Sequence, residues 1–364
     1  MGYEIDFLPV GEESKGGDAI AFRYGNLRGP RYEQIVGVVD GGYAETGEAL
    51  VGHIKKYYET DRIDLAVSTH TDQDHITGLK AVLEQLKVGQ LLMHLPWDHS
   101  AELEAAKAST RLRNGLNDSA RRMLEAAETL EAVAVQRGVE VVEPFAGMGT
   151  KDGLLTVLGP SEVYYEQLLA ELVASETKLA AQLTIESMMR KMLEAAKKLV
   201  PETWYAETLR NDGKTTAANN ASVITFLEVD GRKLLLTGDA GIPALTRAVD
   251  ALETKGFQPT GLNFVQVPHH GSRNNVGPAV LDRLLGTPAE GVTRGTAYVS
   301  APKKNPEDRH PAKKVTNAFL RRGYPVFGTQ GRAILYSWDA PQRAGYGPVE
   351  PLPFHLTVED DGGA

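Results

Sequence analysis

Short apolar runs and alternating apolar and polar runs recur along most of the chain, and each of them predicts a β-strand. These strands are predicted at residues 3–8, 19–24, 35–39, 63–67, 88–93, 139–142, 154–158, 222–228, 233–236, 263–267, 297–300, 324–328 and 333–338. Apolar residues at helical spacing follow several of the strands and predict helices at 45–58, at 76–86, at 242–252 and after Pro311. Strands that alternate with helices in this way indicate an α/β fold.

Two long stretches have a different texture, rich in Ala, Glu, Leu and Arg and poor in helix breakers. They span residues 98–136 and 161–209, and we predict that both are helical. Since they do not resemble the β/α units around them, we interpret them as insertions within a single domain that covers residues 1–364. They would pack on a compact core as a cap, a wall or a homodimer surface, and their charge runs are typical of solvated faces.

Composition limits the possible chemistry. The chain of 364 residues is 42% hydrophobic, enough for a large core, and it contains no cysteine, so any metal ion must be held by histidines and carboxylates. A run of about 18 apolar residues, the mark of a membrane span, is missing, and residues 1–8 lack the features of a signal peptide, so we expect a cytoplasmic protein. The net charge of −9 argues against general affinity for nucleic acid, but it does not exclude a local groove.

Residues 68–75 form a polar turn between a buried strand and a helix, and four of these eight residues are of metal-ligand types. His70 and Asp72 are alternate residues of the extended part and point the same way, while Asp74 and His75 enter the helix and can face the same cavity. An acidic helix N-terminus is the simpler interpretation, but it accounts for one aspartate and not for two histidines as well. The turn therefore predicts a site for one or two divalent ions.

Three other predicted strands also end in acidic or histidine residues, namely at Asp40, at Asp239 and at His269-His270. Open α/β folds bind ligands at the carboxyl ends of their strands. One such ending could arise by chance, whereas four of them, all rich in Asp and His, indicate one shared site.

At these strand ends the chain resembles the metallo-β-lactamase superfamily. Residues 70–75 are similar to its signature His-x-His-x-Asp-His, with Asp72 in place of the second histidine. Within the superfamily the pattern is most similar to the hydrolase domain of the competence protein ComEC, which is thought to act on DNA. The other motifs that carry the resemblance are Gly17-Asp18-Ala19-Ile20, Asp40-Gly41-Gly42, Asn219-Asn220-Ala221-Ser222-Val223, Thr237-Gly238-Asp239, Pro268-His269-His270-Gly271-Ser272 and His310-Pro311. Both predicted helical insertions lie outside it.

The resemblance implies a four-layer αββα sandwich, with two β-sheets face to face, helices outside and the site at one edge. It also implies one or two divalent metal ions whose ligands are all histidines or aspartates at the strand ends. These ligands would be His70 and Asp72 in a first site, Asp74, His75 and either His269 or His270 in a second, and Asp239 as the bridge between them.

Superfamily members usually have a further histidine ahead of the bridging aspartate, and here Asn219-Asn220 stands near that place. The first site is therefore expected to be rich in oxygen ligands, so we expect Mn²⁺ to support activity better than Zn²⁺. His94, at a strand end, is either a further ligand or an ordinary polar residue before Pro96. We expect His53 and His99 to be surface residues on helices.

The chemistry expected from such ligands is hydrolysis, because a bound divalent ion lowers the pKa of water and a second ion stabilises developing negative charge. In this scheme Asp74 orients the water or acts as a base, His310 contacts the substrate or the leaving group, and Asp40 supports the site. The simpler interpretations are a turn aspartate for Asp40 and a histidine at a helix start for His310.

A basic segment favours a phosphodiester substrate. Residues 301–322 contain seven basic and two acidic side chains, a local charge of +5. The basic ones are Lys303, Lys304, Arg309, Lys313, Lys314, Arg321 and Arg322. We expect Lys303, Lys304 and Arg309, together with Asn220, to bind a phosphate backbone, although a solvated loop and helix would have the same composition.

Our first hypothesis is therefore a phosphodiesterase, in particular a nuclease, whose partner is a nucleic acid or another phosphodiester. The second is a metal-dependent hydrolase of a small ester, lactone or phosphorylated metabolite, with the helical stretches as a lid. The third is a non-catalytic subunit whose metal supports the fold while its helices bind a partner. The nearly complete ligand set argues against the third.

Overall fold

The computed structural model describes residues 1–11, 16–174, 199–303 and 310–360. The strands in this part of the chain are β1 (Gly2–Phe7), β2 (Ala19–Gly25), β3 (Gln34–Gly41), β4 (Arg62–Val67), β5 (Lys87–Leu92), β6 (Glu140–Val142), β7 (Leu155–Gly159), β8 (Leu199–Pro201), β9 (Ile224–Val229), β10 (Arg232–Leu236), β11 (Phe264–Gln266), β12 (Thr296–Val299), β13 (Val326–Gly328), β14 (Ile334–Trp338) and β15 (Thr357–Glu359). The helices are α1 (Ala44–Tyr57), α2 (Gln73–Ile76), α3 (Leu79–Gln85), α4 (Ala101–Ala108), α5 (Thr110–Arg113), α6 (Asp118–Arg137), α7 (Glu162–Ala174), α8 (Ala217–Asn220), α9 (Ile242–Thr254), α10 (Pro278–Leu285) and α11 (Lys313–Arg321).

Two sheets of described strands form the centre. The first has seven strands in the order β14-β1-β2-β3-β4-β5-β6, and the second has six in the order β13-β12-β11-β10-β9-β7. Alternate residues of a strand face opposite sides of its sheet, so the odd residues of β1 turn towards the second sheet. There the ring of Phe7 makes edge contacts with Phe264 and Tyr298, at centroid distances of 5.9 and 5.6 Å. These contacts belong to a core between the sheets.

Helices cover the outer face of each sheet. Leu50 of α1, Leu79 of α3 and Leu124 of α6 belong to one buried cluster outside the first sheet. Leu168 of α7 and Leu245 of α9 belong to another outside the second, to which α10 and α11 also contribute. The arrangement is the four-layer αββα sandwich that the resemblance implies, and the fold prediction is confirmed. Among the described helices, none has the length and apolar character that crossing a membrane requires.

The two predicted helical stretches differ in the structure. The first contains α4, α5 and α6, and α6 leads from β5 back to its parallel neighbour β6. The second begins with α7, and its residues 175–198 lie outside the described part. The prediction of helix was wrong for residues 199–209, which hold β8 and irregular chain. Pro201 lacks the N–H that a helix interior needs, and β8 pairs with β15 instead.

The parallel strands bring the predicted site residues to one edge of the sandwich. β3 runs parallel to β4, and β10 runs parallel to β11. The chain leaves β4, β10 and β11 into residues 68–72, 237–241 and 267–272. Close packing at this edge requires glycine, because a Cβ on Gly78 would lie 2.0 Å from the carbonyl oxygen of Gly41.

Candidate metal centre

The turn that follows β4 carries the four ligand-type residues His70, Asp72, Asp74 and His75. Asp72 precedes α2 in extended conformation, yet its side chain does not cap the helix. Its Oδ2 instead lies 3.6 Å from His70 Nε2, and its side chain is 51% exposed. His70 and His75 are buried, and Asp74 is half-buried. Helix capping therefore does not account for Asp72, whereas pairing with His70 does.

Asp239 lies at the middle of the centre and divides four histidines into two pairs. Its Oδ2 is 3.8 Å from His70 Nε2 and 3.5 Å from His269 Nε2. Its Oδ1 is 3.3 Å from His75 Nε2 and 3.8 Å from His270 Nε2. Each carboxylate oxygen thus faces one histidine from the turn after β4 and one from the turn after β11.

Both histidines of the turn after β11 reach the centre because the backbone there is left-handed. His269 and His270 have φ values of 47° and 54°, which for residues other than glycine costs of order 1–3 kcal/mol each. Asn219 Nδ2 lies 2.7 Å from His269 Nδ1 and holds that ring. His270 Nε2 lies 3.8 Å from Asp74 Oδ2. The sequence offered these two histidines as alternatives, and the structure brings in both.

Asp40 supports the turn after β4 through hydrogen bonds. Its Oδ2 lies 2.7 Å from His75 Nδ1 and accepts a hydrogen bond of 2.6 Å from Thr69 Oγ1. Its Oδ1 accepts a hydrogen bond of 2.8 Å from the Thr69 backbone N–H. Thr69 Oγ1 is also 2.9 Å from His70 Nδ1. Asp40 therefore orients His75 directly and His70 through Thr69.

Asp18 is a residue of the centre that the sequence reasoning did not include. It is buried, its Oδ2 lies 3.8 Å from His75 Nδ1, and its Oδ1 lies 3.9 Å from His270 Nδ1. Gln266 Nε2 donates a hydrogen bond of 2.7 Å to Asp18 Oδ2. The signal was the motif Gly17-Asp18-Ala19-Ile20, which carries part of the resemblance but to which we assigned no site role.

The donor atoms fit divalent ions. The Nε2 atoms of His70, His75 and His270 and the Oδ1 of Asp239 are buried and make no hydrogen bond within the described part of the chain. An unsatisfied buried polar atom costs about 1–3 kcal/mol, and cations on the two sides of Asp239 would satisfy all four. The distances of 3.3–3.8 Å between Asp239 and its histidines also fit, because tetrahedral donors about 2.1 Å from one ion stand roughly 3.4 Å apart.

Electrostatics also favour a cation. Burial by itself raises the pKa of Asp239, but His75, His269 and His270 outweigh it and hold that pKa well below its usual value. Burial lowers the pKa of His75, but Asp239 and Asp40 outweigh it and raise that pKa well above its usual value. Burial raises the pKa of Asp18, against the opposing effect of the neighbouring histidines. The raised pKa of His75 means that a metal ion at this histidine competes with a proton.

Two histidines expected on the surface are not there. His53 is 6% exposed, and its Nε2 lies 3.2 Å from Asp6 Oδ2, because this face of α1 packs over β1. His99 follows a short 3-10 turn, its side chain is 7% exposed, and its Nε2 lies 3.0 Å from Glu143 Oε2. The surface prediction was wrong for both.

His94 is not one of the assigned metal ligands, although it lines a small pocket together with His70. Its ring stacks on Tyr165 at a centroid distance of 4.3 Å and contacts Phe145 at 4.8 Å. Burial, with a smaller effect of His99, lowers its pKa to about 3.

The residues predicted to contact substrate differ in their position relative to the metal centre. His310 stacks parallel to His269 at 5.7 Å between ring centroids, so it adjoins the centre. Asn220 Oδ1 is buried beside Gly241, while its neighbour Asn219 is the residue that touches a histidine of the centre. Lys303 is exposed, and the predicted Lys304 and Arg309 lie outside the described residues.

Not all of the basic side chains of residues 301–322 reach the surface. Arg321 and Arg322 are both 1% exposed. Arg321 pairs with Glu202, and Arg322 pairs with Glu207 at 2.9 Å. These two arginines are therefore structural and were wrongly counted towards a surface for phosphate.

No family model and no curated protein matches the chain. Among solved structures it is similar to the metallo-β-lactamase fold protein YhfI from Bacillus subtilis, with 8% identity, a TM-score of 0.40 and coverage of 92% of this chain and 100% of that chain. It is also similar to Tm1679, a metal-dependent hydrolase of the β-lactamase superfamily, with 12% identity, a TM-score of 0.41 and coverage of 93% and 100%. A diphosphatase from the PhnP family has 11% identity, a TM-score of 0.41 and coverage of 93% and 98%. Similarities this low concern the general fold and say nothing about the activity of this chain.

Proposed function

We propose that this chain is a metal-dependent hydrolase whose substrate is a phosphodiester, with nucleic acid as the leading candidate. The observation that carries the proposal is the position of Asp239, whose two oxygens each face a separate pair of histidines, and of these four only His269 is partly exposed. Asp72 adds a carboxylate to the first pair and Asp74 to the second. We assign two metal positions accordingly, with His70, Asp72, His269 and Asp239 at the first and with Asp74, His75, His270 and Asp239 at the second.

Divalent ions held there would supply an activated water and stabilise negative charge on a phosphoryl oxygen. The chain's own residues have to place the reactants. Asp74 is half-buried and reaches both the centre and solvent, which suits a carboxylate that orients water or takes its proton. His310 stacks on His269, so we assign it to the substrate or to the leaving group. Asp40 supports the turn, since its hydrogen bonds fix His75 and Thr69.

His269 affects which metal ion the first position prefers. It provides the first position with the imidazole that the sequence pattern seemed to lack, so each position now offers two imidazoles and two carboxylates. This mixture accepts Zn²⁺ as well as Mn²⁺. We keep Mn²⁺ as the better working ion, because the exposed Asp72 leaves the first position open to water, and carboxylate and water suit Mn²⁺.

The metal is tested by stripping the protein, restoring each ion separately and measuring turnover. We expect manganese to give the higher rate and Asp72→His to shift the preference towards zinc. Highest turnover with zinc and none with manganese would refute the choice of ion. An unchanged metal profile in Asp72→His would remove residue 72 from the ligands.

The phosphodiester substrate rests on the motifs that resemble the ComEC hydrolase domain and on the exposed Lys303. The test offers the metal-loaded protein single-stranded DNA, duplex DNA, RNA and bis-p-nitrophenyl phosphate beside a p-nitrophenyl ester and a lactone. We expect cleavage of phosphodiesters, with Asp239→Ala as the inactive control. Hydrolysis of only the ester or the lactone would replace the proposal with a small-molecule hydrolase, and no hydrolysis at all would favour a non-catalytic subunit.

A further inference from the structure

Away from the metal centre, a concave region lies between α1 and the chain that follows β13. It is a cavity of about 790 Å³, within the roughly 300–1,000 Å³ typical of small-molecule sites. None of the residues assigned to the metal positions lines it. Its walls include Tyr57 and Lys56 of α1, Phe327 of β13, and Arg332 and Tyr346 beyond it. It is thus separate from the centre around Asp239.

The lining of the cavity is positively charged. It contains Lys56 and Arg332 and not a single aspartate or glutamate. Lys303 adjoins it, because its side chain passes within about 3 Å of where a Cβ on Gly331 would lie. Neither lysine nor Arg332 forms an ion pair with a carboxylate of the described residues. In a chain with a net charge of −9, a cavity with unpaired cations and no acid favours an anionic ligand.

The buried acids behind the cavity do not offset this charge. Asp6 binds Arg343 Nη1 through both of its oxygens at 2.9 Å. Glu4 pairs with both Arg343 and Arg23. These pairs neutralise Glu4 and Asp6, and Arg343 anchors the segment that carries Tyr346.

Aromatic side chains form the other part of the wall. The rings of Tyr57 and Tyr346 meet edge to face at 5.5 Å, and Lys56 Nζ lies 4.6 Å from the centroid of Tyr57. Phe327 and Tyr298 contribute a second pair, 5.8 Å apart. Aromatic faces of this kind stack on planar rings, and nucleobases are bound in this way. The aromatic wall and the cations would therefore bind different parts of one ligand.

We propose that this cavity binds a small aromatic ligand that carries a phosphate, of the nucleoside monophosphate class. The tyrosines contact the ring, and Arg332 and Lys56, which line the cavity, contact the phosphate. Binding needs no metal, so the inference does not depend on the proposed hydrolase activity.

The test is isothermal titration of the full chain with AMP in the presence of EDTA, so that the metal centre does not contribute. Adenosine supplies the ring without the phosphate, and inorganic phosphate supplies the anion without the ring. We expect AMP to bind at least tenfold more tightly than either fragment. No binding of AMP at millimolar concentration, or equal binding of AMP and phosphate, would overturn the proposal.

Variants locate the binding. Arg332→Gln is expected to weaken AMP binding at least tenfold, and Tyr346→Leu is expected to weaken AMP and adenosine alike. Arg137→Gln is the matched control, because Arg137 is also exposed and lies at the end of α6, outside the cavity lining. Asp239→Ala should bind AMP as the parent does. Unchanged affinity in folded Arg332→Gln, or a loss in Asp239→Ala, would show that AMP binds elsewhere.

Discussion

Replacement of Asp40 by asparagine is expected to weaken metal binding, although Asp40 is not among the ligands assigned to either metal position. For Nε2 of His75 to bind an ion, Nδ1 must carry the proton and donate it to Asp40 Oδ2, 2.7 Å away. The other oxygen already accepts from the Thr69 N–H at 2.8 Å. Asparagine has one oxygen for these two donors, so its amide N–H₂ must face one of them.

The expected loss is roughly 10- to 100-fold in metal affinity, the usual effect of removing a hydrogen-bond partner of a ligand. That corresponds to about 1.4–2.7 kcal/mol. We expect the upper part of this range, because Thr69, which Asp40 also holds, lies 2.9 Å from His70 Nδ1. The backbone should tolerate the change, since Asp40 has φ 56° and asparagine is among the residues that most readily adopt this conformation.

The assay is competition between the protein and a chelator of known affinity, with Mn²⁺ and with Zn²⁺. Asp64→Asn is the matched control, because Asp64 also accepts a hydrogen bond from a backbone N–H, that of Val36, in the same sheet and away from the centre. Folding is checked by circular dichroism. A folded Asp40→Asn protein with the parent's affinity would refute the role assigned to Asp40.

Alanine at Asp239 or at His75 is expected to abolish hydrolysis while the fold is kept, and full activity in either metal-analysed variant would remove that residue from the ligands. Burial lowers the pKa of His94 to about 3 in the folded protein, whereas the pKa of an unfolded histidine is about 6.5. Between about pH 6.5 and pH 3 the unfolded chain therefore binds a proton that the folded protein excludes. As the pH falls through this range, His94 costs up to about 1.4 kcal/mol of folding stability per pH unit. His94→Phe should therefore lose less stability than the parent between about pH 7.5 and about pH 5 in urea unfolding with EDTA, and an equal loss would contradict the burial argument. Lys303→Glu is expected to raise the KM for a nucleic acid more than that for bis-p-nitrophenyl phosphate, and equal effects would favour a small substrate.

The ligand types and their strand ends were predictable from the sequence, because the carboxyl ends of parallel strands meet at one edge whatever the details of packing. The sequence did not allow us to predict which oxygen of Asp239 each of His269 and His270 faces. This depends on the left-handed backbone at both residues, which points the two rings at different oxygens of Asp239. Asp18 was missed for a related reason, since its neighbours look like a turn and its contacts with histidines are all long-range.

Burial was the harder property to predict. Arg321 and Arg322 look like part of a basic surface, but each meets a glutamate more than a hundred positions earlier in the chain. Their partners Glu202 and Glu207 lie in a stretch that we had predicted as helix, and irregular chain there lets the two carboxylates meet the arginines. Local patterns of charge do not reveal such pairs.

Anomalous diffraction from crystals of the manganese-loaded protein tests the central claim most directly. We expect two peaks on either side of Asp239, one bounded by His70, Asp72 and His269 and the other by Asp74, His75 and His270. The chain offers a competing group at His99, Glu162 and Glu166. A peak only at that group, or no peak beside Asp239, would contradict the account.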